Sequence, residues 1–166
     1  MVSTVADNYE QISYGGTRSQ LRGNHRAIIG DAVATRTLLE KESGALCLFD
    51  RAAGVVYTLP AITSASIGMQ FEFQTTVTIT SNAAKVITDA ATTFIVGLVD
   101  MLIAGSATTL AAAANGTTHV AISSNGTTTG GVIGDRYRLT AVSTTLWVID
   151  GVVSGSGSIA TPFATS

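Results

Sequence analysis

The sequence predicts an all-β protein: a small β-sandwich, barrel or jelly-roll-like domain with an extended N-terminal arm. Three observations predict it. Residues 69–80, MQFEFQTTVTIT, alternate apolar and polar side chains with a period of two, which places successive side chains on opposite faces of a strand. From about residue 36 onward the chain is rich in Thr, Ser, Val, Ile, Ala and Gly, and branched Cβ carbons suit a pleated surface better than a helix. Turn signals recur at short intervals through the same stretch, as expected of many short strands.

The chain divides into an arm over residues 1–35, a β-domain over residues 36–155 and an exposed tail over residues 156–166. The arm has mixed polarity and no sustained periodicity, and Arg18, Arg22, His25 and Arg26 gather in it with no acid between them. Guanidinium groups pair well with carboxylates, so these four residues are the candidate partner-binding group, expected to dock on an acidic neighbour.

The strands follow in order. Ala45–Phe49 and Val55–Leu59 flank a loop ending in Gly54 and are expected to form a hairpin. Pro60 ends that ladder, having no amide hydrogen to give. Residues 69–80 form a long half-buried strand with Met69, Phe71, Phe73, Val77 and Ile79 on the apolar face. Lys85–Thr88 and Thr93–Val96 are short strands, and Leu98–Ala114 favours strand over helix. Thr117–Ser123 lies between Asn115-Gly116 and Asn125-Gly126, both suited to tight hairpin turns with positive φ. Tyr137–Val142 and Leu146–Val153 make a last hairpin turning at Ser143-Thr144.

Composition narrows the function. Apolar residues make up 46% of the chain and charged residues only 12%, roughly half the usual share. Such a chain buries a real core, and its sparse charge implies that other chains cover part of its surface. The net charge of −2 gives no general attraction to nucleic acid or anionic lipid. Cys47 is the single cysteine, so no internal disulfide is possible and folding in a reducing cytoplasm is expected. Asp7 and Glu10 stand where a secretory leader needs a basic flank and an apolar run. Asp100, Gly97 and Gly105 interrupt the most apolar stretch, which falls short of the ~20 residues of a membrane-crossing helix.

Catalytic patterns are sparse, and no enzyme activity and no cofactor are expected. The histidines are His25 and His119, and no pair of His or Cys has metal-ligand spacing. No Gly-x-Ser-x-Gly elbow occurs. Cys47 alternates with Leu46 and Leu48 and is expected to be a small core residue rather than a thiolate. Asp50, Asp89, Asp135 and Asp150 fall at expected loops or strand ends, where Asp caps turns. Glu40 and Glu42 flank Lys41 as one solvated patch, and Glu72 projects from the wet face of the long strand, where it could line a groove. Residues 155–160 match a relaxed dinucleotide fingerprint, but Pro162 leaves no room for the helix that must follow. His119 is expected at the surface, and Trp147 in the core or at an interface.

The run Ser43–Pro60, SGALCLFDRAAGVVYTLP, followed by Ser66–Phe73, SIGMQFEF, resembles a module of bacteriophage structural proteins. In that module a G-x-x-x-x-x-D strand and an A-G-x-x-x-T-L-P strand lead into a G-x-x-F-x-F strand. The segments 79–89, 134–139 and 146–149 continue the likeness, which covers residues 36–155. Proteins of this kind include head decoration (cement) proteins and parts of tail fibres. The resemblance implies a homotrimer that binds the major capsid protein on the virion surface, clamps the joints between capsid subunits, and is made in the bacterial host cytoplasm. It carries over no catalytic, metal or cofactor residues, and the charge and apolar patterning above lead to the expectation of no nucleic-acid and no membrane partner. The alternative it leaves is a tail or head-fibre module that binds a host receptor or glycan through its Thr/Asn-rich loops; a glycan hydrolase comes third.

Overall fold

The computed structural model describes residues 26–30 and 33–166. These form twelve strands and one short 3-10 turn at Glu40–Glu42. The strands are β1 (Ile28–Ile29), β2 (Thr35–Thr37), β3 (Leu46–Phe49), β4 (Val56–Thr58), β5 (Gln70–Thr75), β6 (Ala84–Ile87), β7 (Phe94–Ile103), β8 (Thr109–Asn115), β9 (Ala121–Ser124), β10 (Arg136–Ser143), β11 (Leu146–Gly155) and β12 (Phe163–Ala164). Seven strands form a large sheet in the order β1-β3-β5-β10-β11-β7-β8, and five form a small sheet in the order β12-β9-β6-β4-β2. The fold is all-β and sandwich-like, with side chains of both sheets meeting in one core.

The first six strands alternate between the sheets, with β1, β3 and β5 parallel in the large sheet and β2, β4 and β6 parallel in the small one. The chain thus begins as a parallel coil of three turns. β3 and β4 are therefore not a hairpin: the loop 50–54 carries the chain from one sheet to the other. Hairpin partners would place Phe49 and Tyr57 in a single sheet. In the sandwich they approach from opposite sides and meet edge to face, with centroids 5.5 Å apart, a favourable aromatic geometry.

Several other expectations are corrected in the same way. The long strand ends at Thr75; its alternation continues into Ile79, buried in the loop beyond, while Val77 is exposed. Ile28–Ile29, expected within the arm, pairs with β3, and Thr35–Thr37, which begins at the arm's last residue, pairs with β4. The C-terminal segment is stitched down rather than free, because Phe163 and Ala164 pair with Ile122 and Ala121 and the Phe163 ring is buried. Neither Asn-Gly pair closes a hairpin, since each lies in a loop that switches sheets.

The β10–β11 hairpin forms as expected, and Thr109–Asn115 is a strand. Cys47 and Trp147 are fully buried, and Trp147 packs against Phe71 at 6.2 Å. Along the inner face of the large sheet one cross-strand row runs Ile29, Cys47, Phe73, Tyr137, Gly151, Val99, Ala112. A Cβ at Gly151 would overlap Cβ and Cα of Tyr137, so the close approach of β10 to β11 requires glycine there.

Two substitutions on this row have opposite expected signs. Tyr137 Oη is buried without a hydrogen-bond partner, a state that costs about 1–3 kcal/mol. Tyr137→Phe should therefore leave stability unchanged or raise it by up to ~1 kcal/mol. Gly151→Ala should lower it by ~2–4 kcal/mol, because backbone atoms cannot yield as a flexible side chain can. Urea titration of both variants checks the pair, and a destabilised Tyr137→Phe would show that the hydroxyl is satisfied.

Candidate functional site

An open depression of about 320 Å³ lies on the outer face of the large sheet, lined by Glu72, Arg136, Tyr137, Arg138, Asp150, Gly151 and Val152. Period-two alternation builds it. Tyr137 turns inward, so Arg136 and Arg138 on either side of it turn outward. Strand register then sets Glu72, Arg138 and Asp150 in one row across β5, β10 and β11, with Gln74, Arg136 and Val152 in the next. Alternating acid, base and acid along a row is favourable for cross-strand neighbours.

The charges are mostly paired. Arg138 Nη2 approaches Asp150 Oδ1 at 3.3 Å, and Arg26 Nη1 donates to Glu72 Oε2 at 2.5 Å. Arg26 Nε also donates to the Gly44 carbonyl at 3.2 Å. Of the expected partner-binding group, Arg26 thus lies against its own domain, while Arg18, Arg22 and His25 fall outside the described residues. Glu72 lines a groove, as its place on the wet face of β5 implied. Asp150 sits in mid-strand on β11 rather than at a strand end. Arg136 and Arg138 were the residues that sequence reasoning missed; the signal was the triplet Arg-Tyr-Arg with its buried centre.

Glu72 and Asp150 both line this depression, but Arg138 stands between them in the row. Each of the two carboxylates already holds a guanidinium, Arg26 on Glu72 and Arg138 on Asp150, so the arrangement is suited to polar recognition more than to proton transfer. No cluster of three or more His, Cys, Asp or Glu able to hold a metal ion occurs among the described residues. No helix among them is long and apolar enough to cross a membrane.

Asp135, His119, Asn115, Asn125 and Cys47 serve the fold. Asp135, 5% exposed, accepts from the amides of Gly131 at 2.8 Å and Val132 at 3.1 Å, and from Ser154 N at 2.8 Å and Oγ at 2.6 Å. His119 Nδ1 accepts from the Asn115 amide at 3.1 Å, and its ring stacks on Phe163 at 5.7 Å. Asn115 and Asn125 cap matching loops, each side-chain oxygen taking the amides two, three and four residues on. Burial, reinforced by the nearby charge of Glu42, pushes the Cys47 thiol from 9.0 up to about 12.

Comparison with protein families, with characterised proteins and with solved structures found no match.

Removing the Asp135 carboxylate strands its buried donors, so Asp135→Ala should lose ~2–4 kcal/mol in urea melts. The half-exposed Arg138–Asp150 pair should contribute under ~1 kcal/mol, so Arg138→Ala should melt within a few degrees of the parent. The thiol tests linkage. Its pKa is raised on folding, so its contribution is complete below the unfolded value and is lost as pH climbs from about 9 to about 12. Between pH 8 and 11 the parent should lose ~2 kcal/mol more than Cys47→Ala, measured by denaturant titration at each pH.

Proposed function

We propose that this chain is a non-catalytic structural protein of a phage particle: a capsid decoration (cement) protein that binds the major capsid protein and other copies of itself. On this reading its mechanism is mechanical. Many copies bridge adjacent capsid subunits, and internal pressure must break their contacts as well as those of the shell.

The observation that carries the reading is the uneven outer surface of the large sheet. Leu98 and Leu102 are 57% and 45% exposed on β7, Ala111 and Ala113 lie beside them on β8, and Asp100 is the only charged residue between Phe94 and Asn115. An apolar flank of this kind favours contact with other protein. The resemblance of residues 36–155 to phage structural modules supplies the kind of partner. A tail or head-fibre module has one feature in its favour, the charged depression at Glu72, Arg136, Arg138 and Asp150. Against it, Trp147, the side chain best suited to an aromatic platform for sugar, is fully buried.

The copy number of this protein relative to the major capsid protein, measured by quantitative mass spectrometry of purified particles, tests the proposal. A ratio near one, or a simple fraction fixed by the shell lattice, is expected. A handful of copies per particle would favour the fibre reading, and absence from the particle would overturn both. The arm is tested by deleting residues 1–25, a cut that spares β1 and β2. The truncated protein should keep its melting temperature and lose capsid binding; retained binding would remove the arm from the mechanism.

A further inference from the structure

The large sheet ends in β8, whose far side pairs with no strand among the described residues. The two hydrogen-bonding sides of β8 can be assigned residue by residue. Gly116 donates its amide to Ile95 of β7, so the even-numbered residues of β8 face β7. The Asn115 amide points the other way and is taken by His119 Nδ1. Thr109, Ala111 and Ala113 therefore present their amides and carbonyls to the free edge, because the direction alternates along an antiparallel strand.

Among the described residues this edge has none of the usual protection. A free edge is ordinarily shielded by charged side chains, proline, a bulge or extreme shortness. β8 is seven residues long, with the sequence TLAAAAN. It carries no charge and no proline, and it pairs with β7 without a break in register. The other terminal strands, β1, β2 and β12, have two, three and two residues.

We propose that β8 pairs with β8 of a second copy, antiparallel about a two-fold axis at Ala111, to form one continuous sheet across two molecules. Three features select a second copy in this register. Pairing Ala111 with Ala111 of the other copy, and Thr109 with Ala113, uses the edge amides and carbonyls of all three residues in about six hydrogen bonds, two per facing pair. Leu110 is on the inward-facing side of β8 yet 47% exposed; this register sets it directly across from the other copy's Ala112, in the close non-hydrogen-bonded position. No charged residue on β8 opposes a like charge, and Asp100 lies one strand back, opposite Ala111. Pairing β8 with β1, β2 or β12 of another copy would leave most of β8 bare. The two-fold contact differs from the three-fold assembly that the sequence resemblance implies, and it stands independently of the capsid proposal.

The test uses the full chain. Analytical ultracentrifugation over the micromolar range should show a species of twice the 17.0 kDa chain mass, and Ala111→Lys, which sets two ammonium groups face to face on the axis, should be monomeric with an unchanged melting temperature. Thr109→Lys supplies the same test away from the axis should Ala111→Lys fold poorly. Register is read by cysteine cross-linking, with buried Cys47 silent. Facing residues lie ~5.5 Å apart between Cα atoms, within disulfide reach, so Ala111→Cys should oxidise to a covalent dimer. The two copies of residue 113 would be separated by about 13 Å along the strand, so Ala113→Cys should not. A monomeric parent, a dimer that persists in both lysine variants, or equal cross-linking by both cysteine variants would overturn the proposal. So would a monomeric parent whose Ala111→Lys variant loses capsid binding, which would assign the edge to a strand of the capsid protein.

Discussion

The cluster of Phe49, Tyr57, Phe73 and Tyr137 is the contact on which the sandwich depends. Tyr57 comes from the small sheet and the other three from the large one, with ring centroids 5.5 to 6.4 Å apart. Tyr57 is held in place at its polar end, where the hydroxyl donates to the Leu48 carbonyl at 2.8 Å. One ring from the small sheet thus spans the core and is fixed to the backbone of the opposite layer. Rings of this size need the usual spacing of ~10 Å between packed sheets. Along the inner row the side chains become smaller away from the cluster, from Phe73 and Tyr137 to Gly151, Val99 and Ala112. Seven strands lie over five, and the large sheet outruns its cover towards β8, where inward-facing Leu110 remains half exposed.

Local periodicity made individual strands legible, and the partners of each strand were not. Alternation in Met69–Thr80 correctly assigned Phe71 and Phe73 to the core and Glu72 to the outside, because the side-chain period of a strand is a property of the backbone alone. The β10–β11 hairpin was legible because its turn is short and its strands are long. Which sheet each of β1 to β6 joins depends on how Phe49 and Tyr57 meet across the core, and no window of adjacent residues contains that information. A short loop ending in Gly54 serves a hairpin or a change of sheet equally well. The Asn-Gly pairs misled for a related reason. Asn supplies a side-chain acceptor as well as tolerance of positive φ, and here the acceptor takes three successive amides and caps a five-residue loop in place of a two-residue turn.

The candidate site shows the same division. Glu72 was readable as a groove residue from its face of the strand. The row it forms with Arg138 and Asp150 was not, because pairing across β10 and β11 shifts by one residue between Ala141 and Ser143. Counting back from the Ser143–Leu146 pair without that bulge would set Arg138 opposite Gly151 and leave Asp150 on the wrong row. A single unpaired residue thus decides which side chains face each other, as register slips do in any sheet. Arg26 illustrates a different limit. Its neighbours in sequence suggested a basic arm reaching outward, yet a carboxylate 46 residues away holds it against the domain.

Sparse charge is a statement about the whole chain until the sheet distributes it. Arg26, Glu72, Arg136, Arg138 and Asp150 gather on the outer face over β5, β10 and β11, and that half of the large sheet is dressed for water. The other half carries Leu98, Leu102, Ala111 and Ala113 with one carboxylate, Asp100. Even spacing of the same few charges would have interrupted both halves and protected the edge. Concentrating them leaves a strand edge and an apolar flank side by side, and desolvating that flank opposes few ionic groups. Among the described residues, the β7–β8 side therefore presents fewer ionic groups to be desolvated by an approaching surface than the side over β5, β10 and β11.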